Sequence, residues 1–142
     1  MRVVGDPPLT GEQNVERVAK LWMERIGYTA KKGPDHGLSF KILYECFLLH
    51  PTQWWTVDQL AANCDTSMPS IYRHLNKLKD LDLIEDDHVD VEGDQKRAFR
   101  LRYGDVAKAW NHAEVHFQHA IDAYRQSVDH LERLLRDARH HA

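Results

Sequence analysis

The sequence predicts a mainly α-helical fold with one small β-hairpin, an α+β arrangement. Apolar residues recur at spacings of three and four over most of the 142 residues, which is the period of an amphipathic helix. An extended run to Val91 and a returning run over 96–103 flank a turn at 92–95, as in a hairpin. A hydrophobic content of 42% is enough for one compact core.

Composition excludes several classes of protein. The 19 basic and 22 acidic residues give a formal net charge of −3, which is not the strongly basic balance of a histone-like or membrane-surface protein. The longest apolar run, 46–49, is far shorter than the roughly 20 residues that span a bilayer. The amino terminus has no apolar segment of the kind found in secretory signals. We therefore expect a cytoplasmic protein with no membrane partner.

Neither the cysteines nor any motif indicates catalysis. Cys46 and Cys64 are the two cysteines and have no CxxC spacing, so we expect both to be reduced and packed, with a thiol redox switch as the alternative. The sequence has no Walker loop, nucleophile elbow, HExxH or GxGxxG. We predict that the protein is not an enzyme and has no cofactor.

The first third of the chain predicts an irregular arm over 1–9 and two helices. Thr10 and Gln13 have the spacing of a capping box, so the first helix is predicted over 10–27, with Val15, Val18 and Trp22 in one apolar stripe. Residues 31–37 contain two glycines and a proline and predict a loop. The second helix, over 38–49, is apolar around most of its circumference and is expected to be buried.

The middle of the chain predicts two short helices joined by a tight turn. Thr56 is a good N-cap for a helix over 57–63, the turn follows at 64–67, and a second helix over 68–79 carries Pro69 in its first turn. Ile71, Leu75 and Leu78 form its core stripe. Two such helices form a helix-turn-helix, and a hairpin directly after it is a wing. Residues 38–103 therefore predict a winged helix-turn-helix domain.

The last segment, 105–139, is the longest periodic stretch. A helix of this length would extend about 50 Å, too far to be covered by so small a domain. Its apolar residues fit heptad a and d positions, with Glu114 as one polar a residue, so we predict that 10–37 and 104–142 dimerise. The predicted dimer contacts are Val15, Val18, Trp22, Trp110, Phe117, Ile121, Tyr124, Val128, Leu131 and Leu135.

Three stretches, 16–27, 56–84 and 93–101, resemble the MarR-type winged-helix regulators, and more narrowly their GbsR-like branch. The resemblance covers residues from about 12 to 137. It implies a homodimeric, sequence-specific transcriptional regulator whose partner is double-stranded DNA and whose outer helices dimerise. A dimer of this kind would bind a pseudo-palindromic operator through one recognition helix per subunit, and a small-molecule effector would change the angle between the wings.

The outward face of the helix over 68–79 carries side chains suited to DNA. Arg73 can donate two hydrogen bonds to guanine and Asn76 can pair with adenine, while Lys77 and Tyr72 can contact the backbone. The segment 67–79 contains three basic residues and no acid. The predicted DNA-binding residues are Ser67, Ser70, Tyr72, Arg73, Asn76, Lys77, Lys96, Arg97 and Arg100.

The wing is the feature that argues against DNA binding. Residues 85–94 contain six acids and no Lys or Arg, and phosphates repel such a segment. We expect the returning strand, with Lys96, Arg97 and Arg100, to face the duplex while the acidic strand faces solvent. The alternative is a winged-helix module that binds protein instead of DNA.

Histidines and tryptophans suggest two ligand hypotheses. His112, His116 and His119 lie on one helix face at i, i+4 and i+7, a spacing that can bind a metal. They occupy heptad positions that point away from the predicted dimer interface, so we expect their side chains to be solvated or packed on a neighbouring helix. The alternative is metal or pH sensing.

Trp22, Trp54 and Trp55 could line a cleft beside the dimerisation helices. An aromatic cage there would bind quaternary ammonium by cation–π attraction. The resemblance to GbsR-like proteins favours such an osmolyte, and plain core packing is the alternative.

Overall fold

The computed structural model describes residues 7–29 and 36–141. It is mostly helical with a three-stranded antiparallel sheet of order β1-β3-β2, which confirms the predicted winged helix-turn-helix class. Its elements are α1 Val15–Arg25, α2 His36–Phe40, a π-helical segment Lys41–Leu48, β1 Trp55–Thr56, α3 Val57–Cys64, α4 Met68–Asp80, β2 Ile84–Val91, β3 Asp94–Leu101 and α5 Val106–His141. Most of the predicted arm, 1–6, and of the predicted loop, 31–35, lies outside the described residues.

The first helix starts later than the sequence predicts. Thr10 lies in a separate 3-10 turn, Leu9–Gly11, so the predicted capping box is wrong. Asn14 is the N-cap of α1, because its side chain accepts the backbone N–H of Arg17 at 3.0 Å. Glu12 accepts the backbone N–H of Asn14 at 3.1 Å, and its other carboxylate oxygen pairs with Arg17. These local bonds favour an extended chain until Asn14.

The predicted buried helix over 38–49 is present, but its geometry changes along its length. After α2, the segment Lys41–Leu48 is π-helical, and the backbone N–H of Leu49 bonds to the carbonyl of Tyr44, five residues earlier, at 3.0 Å. Ile42, Leu43 and Phe47 are fully buried. Hydrophobic periodicity predicts burial but does not distinguish this wider turn from an α-helix.

Capping places α3 and α4 where the sequence predicts them. Thr56 and Gln59 form a reciprocal capping box, with bonds of 3.2 and 3.0 Å between side chains and backbone. Ser67 begins α4 by accepting the N–H of Ser70 at 3.3 Å. Asp65 makes the turn between the helices in a left-handed conformation, φ 50°, which Asp tolerates better than most residues. The helix-turn-helix is therefore specified largely by local signals.

The wing has a tighter turn and one more strand than predicted. Glu92 and Gly93 both have positive φ, 53° and 88°, as in a two-residue type I′ hairpin turn, so Asp94 and Gln95 belong to β3 instead of the turn. The additional strand is β1, where Trp55 lies opposite Phe99. Phe99 and Leu101 face the core.

One core joins the elements that the sequence divides between segments. Met23 of α1, Phe47, Leu60 of α3, Leu75 of α4 and Phe99 of β3 belong to a single buried cluster. Within 7–29 and 36–141, no helix is long and apolar enough to cross a membrane.

Helix α5 packs on this core only near its start. Its buried residues are Ala109 and Ala113, and the helix continues for 28 residues beyond Ala113 to His141. Large apolar side chains stay exposed along it: Val115, Ile121, Tyr124, Val128, Leu131, Leu134 and Leu135. The described part of the chain thus leaves most of α5 uncovered.

Candidate nucleic-acid interface

The outward face of α4 presents the side chains that the sequence predicts there. Tyr72, Arg73, Asn76 and Lys77 are exposed, whereas Ile71, Leu75 and Leu78 are buried against the core. The face combines a guanidinium, an amide, an ammonium and a phenol on a rigid helix. These groups can donate and accept hydrogen bonds at base edges and phosphates.

The two serines at the start of α4 have a structural role of their own. Ser67 Oγ accepts the backbone N–H of Ser70 at 3.3 Å, and the two hydroxyls lie 3.1 Å apart. Ser67 is exposed and Ser70 is partly buried. The amino-terminal end of a helix favours phosphate because its backbone N–H groups and dipole point toward an anion. The capping role of Ser67 is compatible with a phosphate contact by the two serines, because the cap fixes the orientation of this end of α4.

A buried histidine supports the opposite side of α4. His74 is 0% exposed, and its Nδ1 lies 3.3 Å from Ser39 Oγ and 3.5 Å from Tyr28 Oη. Burial raises the pKa of the Tyr28 phenol, which therefore stays protonated and can donate. Helical periodicity does not predict this buried position, because a histidine does not count as a member of an apolar stripe. The network connects α4 to the segments that carry Tyr28 and Ser39.

Two predicted wing residues adjoin the α4 face. A shallow groove of about 190 Å³ runs between the start of α4 and β3, and Met68, Tyr72, Lys96 and Arg97 line it with Asp58 and residues of β1 and α3. The structure therefore brings Lys96 and Arg97 next to Tyr72. Together with α4, they form one continuous surface.

The basic groups of β3 are paired with acids. Arg97 Nε lies 2.6 Å from Asp86 Oδ2, and Lys96 Nζ lies 3.5 Å from Asp58 Oδ2. The hydrogen bond from Arg97 holds the pKa of the Asp86 carboxyl below its usual range. Asp86 also lies 4.0 Å from Lys79. Much of the positive charge on this side of the groove is thus offset within the protein.

Arg100 is held more firmly still. It pairs with Glu85, which lies directly opposite it in the β2–β3 register, and its guanidinium covers the Trp54 ring at 4.6 Å from the centroid. The expectation that the acidic strand turns to solvent is therefore wrong for Glu85, which is half-buried in this pair. Asp86 is exposed, as expected, although its carboxylate pairs with Arg97. Antiparallel pairing places both acids within reach of the arginines of β3.

The tip of the wing remains acidic. Asp87, Asp90, Glu92 and Asp94 are exposed. The Asp90 carboxylate accepts the backbone N–H of Gly93 at 2.9 Å and so supports the turn. A tip of this charge repels phosphate.

The three tryptophans that could have formed an aromatic cage do not line one cavity. Trp22 lies edge-on to Trp110, with ring centroids 6.2 Å apart, and lines an apolar cavity of about 420 Å³. Trp54 lies beneath Arg100, and Trp55 is buried in β1. Neither Trp54 nor Trp55 lines the cavity, so the structure does not assemble the predicted cage.

The three histidines of α5 that were considered as metal ligands divide into two sets. His116 Nδ1 contacts Asp82 Oδ2, and His112 Nδ1 lies 3.4 Å from Tyr103 Oη. One ligand atom each from Asp82, His112 and His116 fall within 4.8 Å of one another. His119 is exposed and lies outside this cluster. The spacing rule found two of the three residues, but a third from a distant turn could not be predicted from helical periodicity.

The cysteines are free and buried, in agreement with the prediction that they are packed thiols. Their sulfur atoms lie 3.9 Å apart. Contact with Cys64 and burial raise the pKa of the Cys46 thiol. Cys46 also accepts a hydrogen bond from the Asn63 side chain at 3.3 Å.

Comparison with known proteins agrees with this architecture. Residues 40–87 match a family model described as a helix-turn-helix domain. Together with the sheet that follows, this match defines the class: the chain contains a winged helix-turn-helix domain.

Among solved structures, the chain is similar to a "Possible transcriptional regulator" from Methanosarcina mazei Go1. The two are 16% identical, with a TM-score of 0.49 over 87% of this chain and 93% of that one. Comparison with curated proteins gives no match.

Proposed function

We propose that the protein is a sequence-specific, double-stranded DNA-binding transcriptional regulator that acts as a homodimer. The observation that carries this proposal is the outward face of α4, where Tyr72, Arg73, Asn76 and Lys77 are exposed in a segment without acids. It lies on the second helix of a helix-turn-helix, the element that enters the major groove in proteins of this class. Such a role fits the cytoplasmic location expected from the sequence.

Each side chain of this face has a distinct task in the proposed complex. Arg73 donates two hydrogen bonds to guanine O6 and N7, and Asn76 pairs with adenine N6 and N7. Lys77 and Tyr72 contact phosphate and sugar, which set the position of the helix without reading sequence. Ser67 and Ser70 place the amino-terminal end of α4 against a phosphate.

The wing contributes little positive charge to this complex. Lys96 and Arg97 border the α4 face but are paired with Asp58 and Asp86. Arg100 is engaged with Glu85 and Trp54, so it supports the wing base. With a net charge of −3, nonspecific affinity should be modest. Binding must then depend on a small contact surface that is doubled by a second subunit.

The exposed stripe of α5 supports a dimer. Ile121, Tyr124, Val128 and Leu131 are 53–70% exposed and repeat at heptad spacing. A helix with such a stripe is stable in water when a partner covers it. Two copies that pair in this way would present their α4 helices to half-sites about 34–36 Å apart on a pseudo-palindromic operator. Val15 and Val18 of α1 line the apolar cavity together with Val106 at the start of α5.

The assignment to the MarR type, and to its GbsR-like branch, is part of the proposal. The order of α1, α2, helix-turn-helix, wing and long α5 supports it. The separated tryptophans give no support to a quaternary ammonium effector. An apolar effector would instead occupy the 420 Å³ cavity beside Trp22, a volume within the usual range for small ligands.

Selection of genomic DNA fragments by the purified protein tests the proposal. Wild type should recover fragments that share a two-fold symmetric site. Arg73→Ala should relax the preference at one base of each half-site, and Lys77→Ala should weaken all sites about equally. Arg133→Ala is the matched control, because it also removes one positive charge but lies exposed on α5, away from the α4 face.

The alternative, a winged-helix module that binds protein, predicts a different outcome. Selection would then recover no shared site, and Arg73→Ala would bind every duplex as wild type does. DNA binding that weakens steeply with added salt supports the proposed function, because released counterions set that dependence. Equal effects of Arg73→Ala and Arg133→Ala would contradict the assignment of α4 as the reading helix.

A further inference from the structure

A cluster of metal-ligating side chains lies where the helix-turn-helix meets α5. Asp82 occupies the turn between the end of α4 and β2, while His112 and His116 are one helical turn apart on α5. One ligand atom from each residue lies within 4.8 Å of the other two, and the Asp82 carboxylate already contacts His116. Two imidazoles and a carboxylate converge on one point from elements far apart in sequence.

The dimensions suit a small divalent metal. Zn²⁺ binds His nitrogen and carboxylate oxygen at roughly 2.0–2.2 Å, so its tetrahedral ligands lie roughly 3.4 Å apart. The ligand atoms of the cluster lie within 4.8 Å of one another. Small side-chain rotations would shorten these separations to the roughly 3.4 Å expected around zinc. The His116 side chain is 51% exposed and that of Asp82 is 24% exposed, so both can turn without disturbing the core.

Neighbouring groups hold the cluster in place. Arg102 Nε donates to the backbone carbonyl of Asp82 at 3.1 Å, and Asp82 itself has a left-handed backbone, φ 59°. Tyr103 Oη lies 3.4 Å from Nδ1 of His112 and can orient that ring. Hydrogen-bonded partners of this kind fix ligand orientation in protein metal sites.

We propose that Asp82, His112 and His116 form a Zn²⁺ site, with water completing the coordination. The site would connect the carboxyl-terminal end of α4 to α5, and so the DNA-reading helix to the dimer helix. Zinc would then change DNA affinity by fixing the angle between these helices. Only this last step rests on the proposed function; zinc binding itself does not.

The test is a calorimetric titration of the full chain, without a histidine tag, with Zn²⁺. The absorption spectrum of bound Co²⁺ is a second readout of coordination. Wild type should bind one zinc in this site. Asp82→Asn and His116→Ala should each weaken binding at least about tenfold. Asn tolerates the left-handed backbone of position 82, so Asp82→Asn should fold as wild type does, which circular dichroism checks.

His119→Ala is the matched control. It removes a histidine from the same helix, one turn away, and should change zinc affinity less than about twofold because His119 lies outside the cluster. Absence of zinc binding at micromolar concentration would overturn the site. So would an unchanged affinity in Asp82→Asn, or an equal loss in His119→Ala and His116→Ala, which would indicate a site made by the helix histidines alone.

DNA binding provides a separate readout. Zinc should shift the DNA affinity of wild type by several-fold, within the usual range of allosteric coupling, and leave that of Asp82→Asn unchanged. Zinc binding with no such shift would overturn the coupling. If no DNA fragment is recovered at all, the proposed function fails while the calorimetric result stands, so the two failures are distinguishable.

Discussion

The outward face of α4 and the neighbouring strand β3 carry similar side chains but differ in the residues that accompany them in the sequence and in the strand register. In α4, Arg73 and Lys77 belong to a segment, 67–79, that contains no acid. In β3, Arg97 and Arg100 lie opposite a strand of acids and form ion pairs with Asp86 and Glu85. The number of basic residues therefore does not decide which surface attracts phosphate.

Strand register explains the difference. Neighbouring residues of a helix face are set by spacings of three and four, whereas an antiparallel strand faces whatever its partner places opposite. The register places Glu85 opposite Arg100, so the carboxylate offsets the charge of that arginine within the protein. We therefore assign DNA reading to α4 and a supporting role to the base of the wing.

The largest expected effect comes from removing the second copy of the α4 face. Leu131→Asp places a charge in the exposed stripe of α5 and should give a monomer in solution. Linked binding of two sites can exceed single binding by roughly 10²–10⁴-fold, so operator affinity should fall at least about 100-fold. Light scattering and DNA titration measure both changes. Arg133→Asp, on the outer side of the same helix, should leave the dimer intact. If the Leu131→Asp protein were still a dimer, the exposed stripe of α5 would not be the dimer interface.

A smaller change in operator affinity distinguishes the α4 face from strand β3. Arg73→Ala should weaken operator binding by about 1–3 kcal/mol, the usual cost of losing a bidentate base contact. The double variant Asp86→Ala/Arg97→Ala removes an ion pair of the wing without changing the net charge and should alter affinity less than about threefold. Fluorescence anisotropy on one duplex compares them. The comparison fails if the wing variant loses more affinity than Arg73→Ala.

Releasing a wing arginine should strengthen binding. Asp86→Asn keeps the shape of the side chain but frees Arg97 and Lys79 from its charge. The slope of log K against log salt concentration should become steeper by about 0.9 for each added phosphate contact. Asp129→Asn, exposed on α5, removes the same charge at a distance and serves as the control. Identical slopes for Asp86→Asn and wild type would show that β3 does not adjoin the duplex.

The smallest effect concerns acid titration of the wing. The hydrogen bond from Arg97 lowers the pKa of Asp86. The ion pair therefore stabilises the fold above the ordinary pKa of aspartate and is lost as pH falls through the lowered value. Arg97→Gln should raise the pKa of Asp86 toward its ordinary value, as measured by the carboxyl carbon shift in NMR. An unchanged titration midpoint would contradict the ion pair.

Local signals in the sequence predicted much of the fold. The caps at Thr56 and Ser67 and the apolar stripe of α4 placed the helix-turn-helix, and alternation in β3 placed the wing. The competing cap at Asn14 and the π-helical segment were missed because several local conformations satisfy the same pattern. The short strand β1 was missed because it exists only through pairing with Phe99.

The functional surface was less predictable than the fold. Helical spacing identified the exposed residues of α4, since they follow from the core stripe on its other side. The ion pairs of Arg97 and Arg100, the buried His74 and the partnership of Asp82 with His116 depend on contacts between distant segments. Residue counts and periodicity do not contain that information.

Mapping amide shifts in NMR while an operator fragment is added shows directly whether α4 or the wing contacts DNA. We expect the largest changes at residues 67–77, the N-cap and first turns of α4, and no change at the acidic tip, 90–94. Changes concentrated at the wing tip, with α4 unaffected, would contradict this expectation.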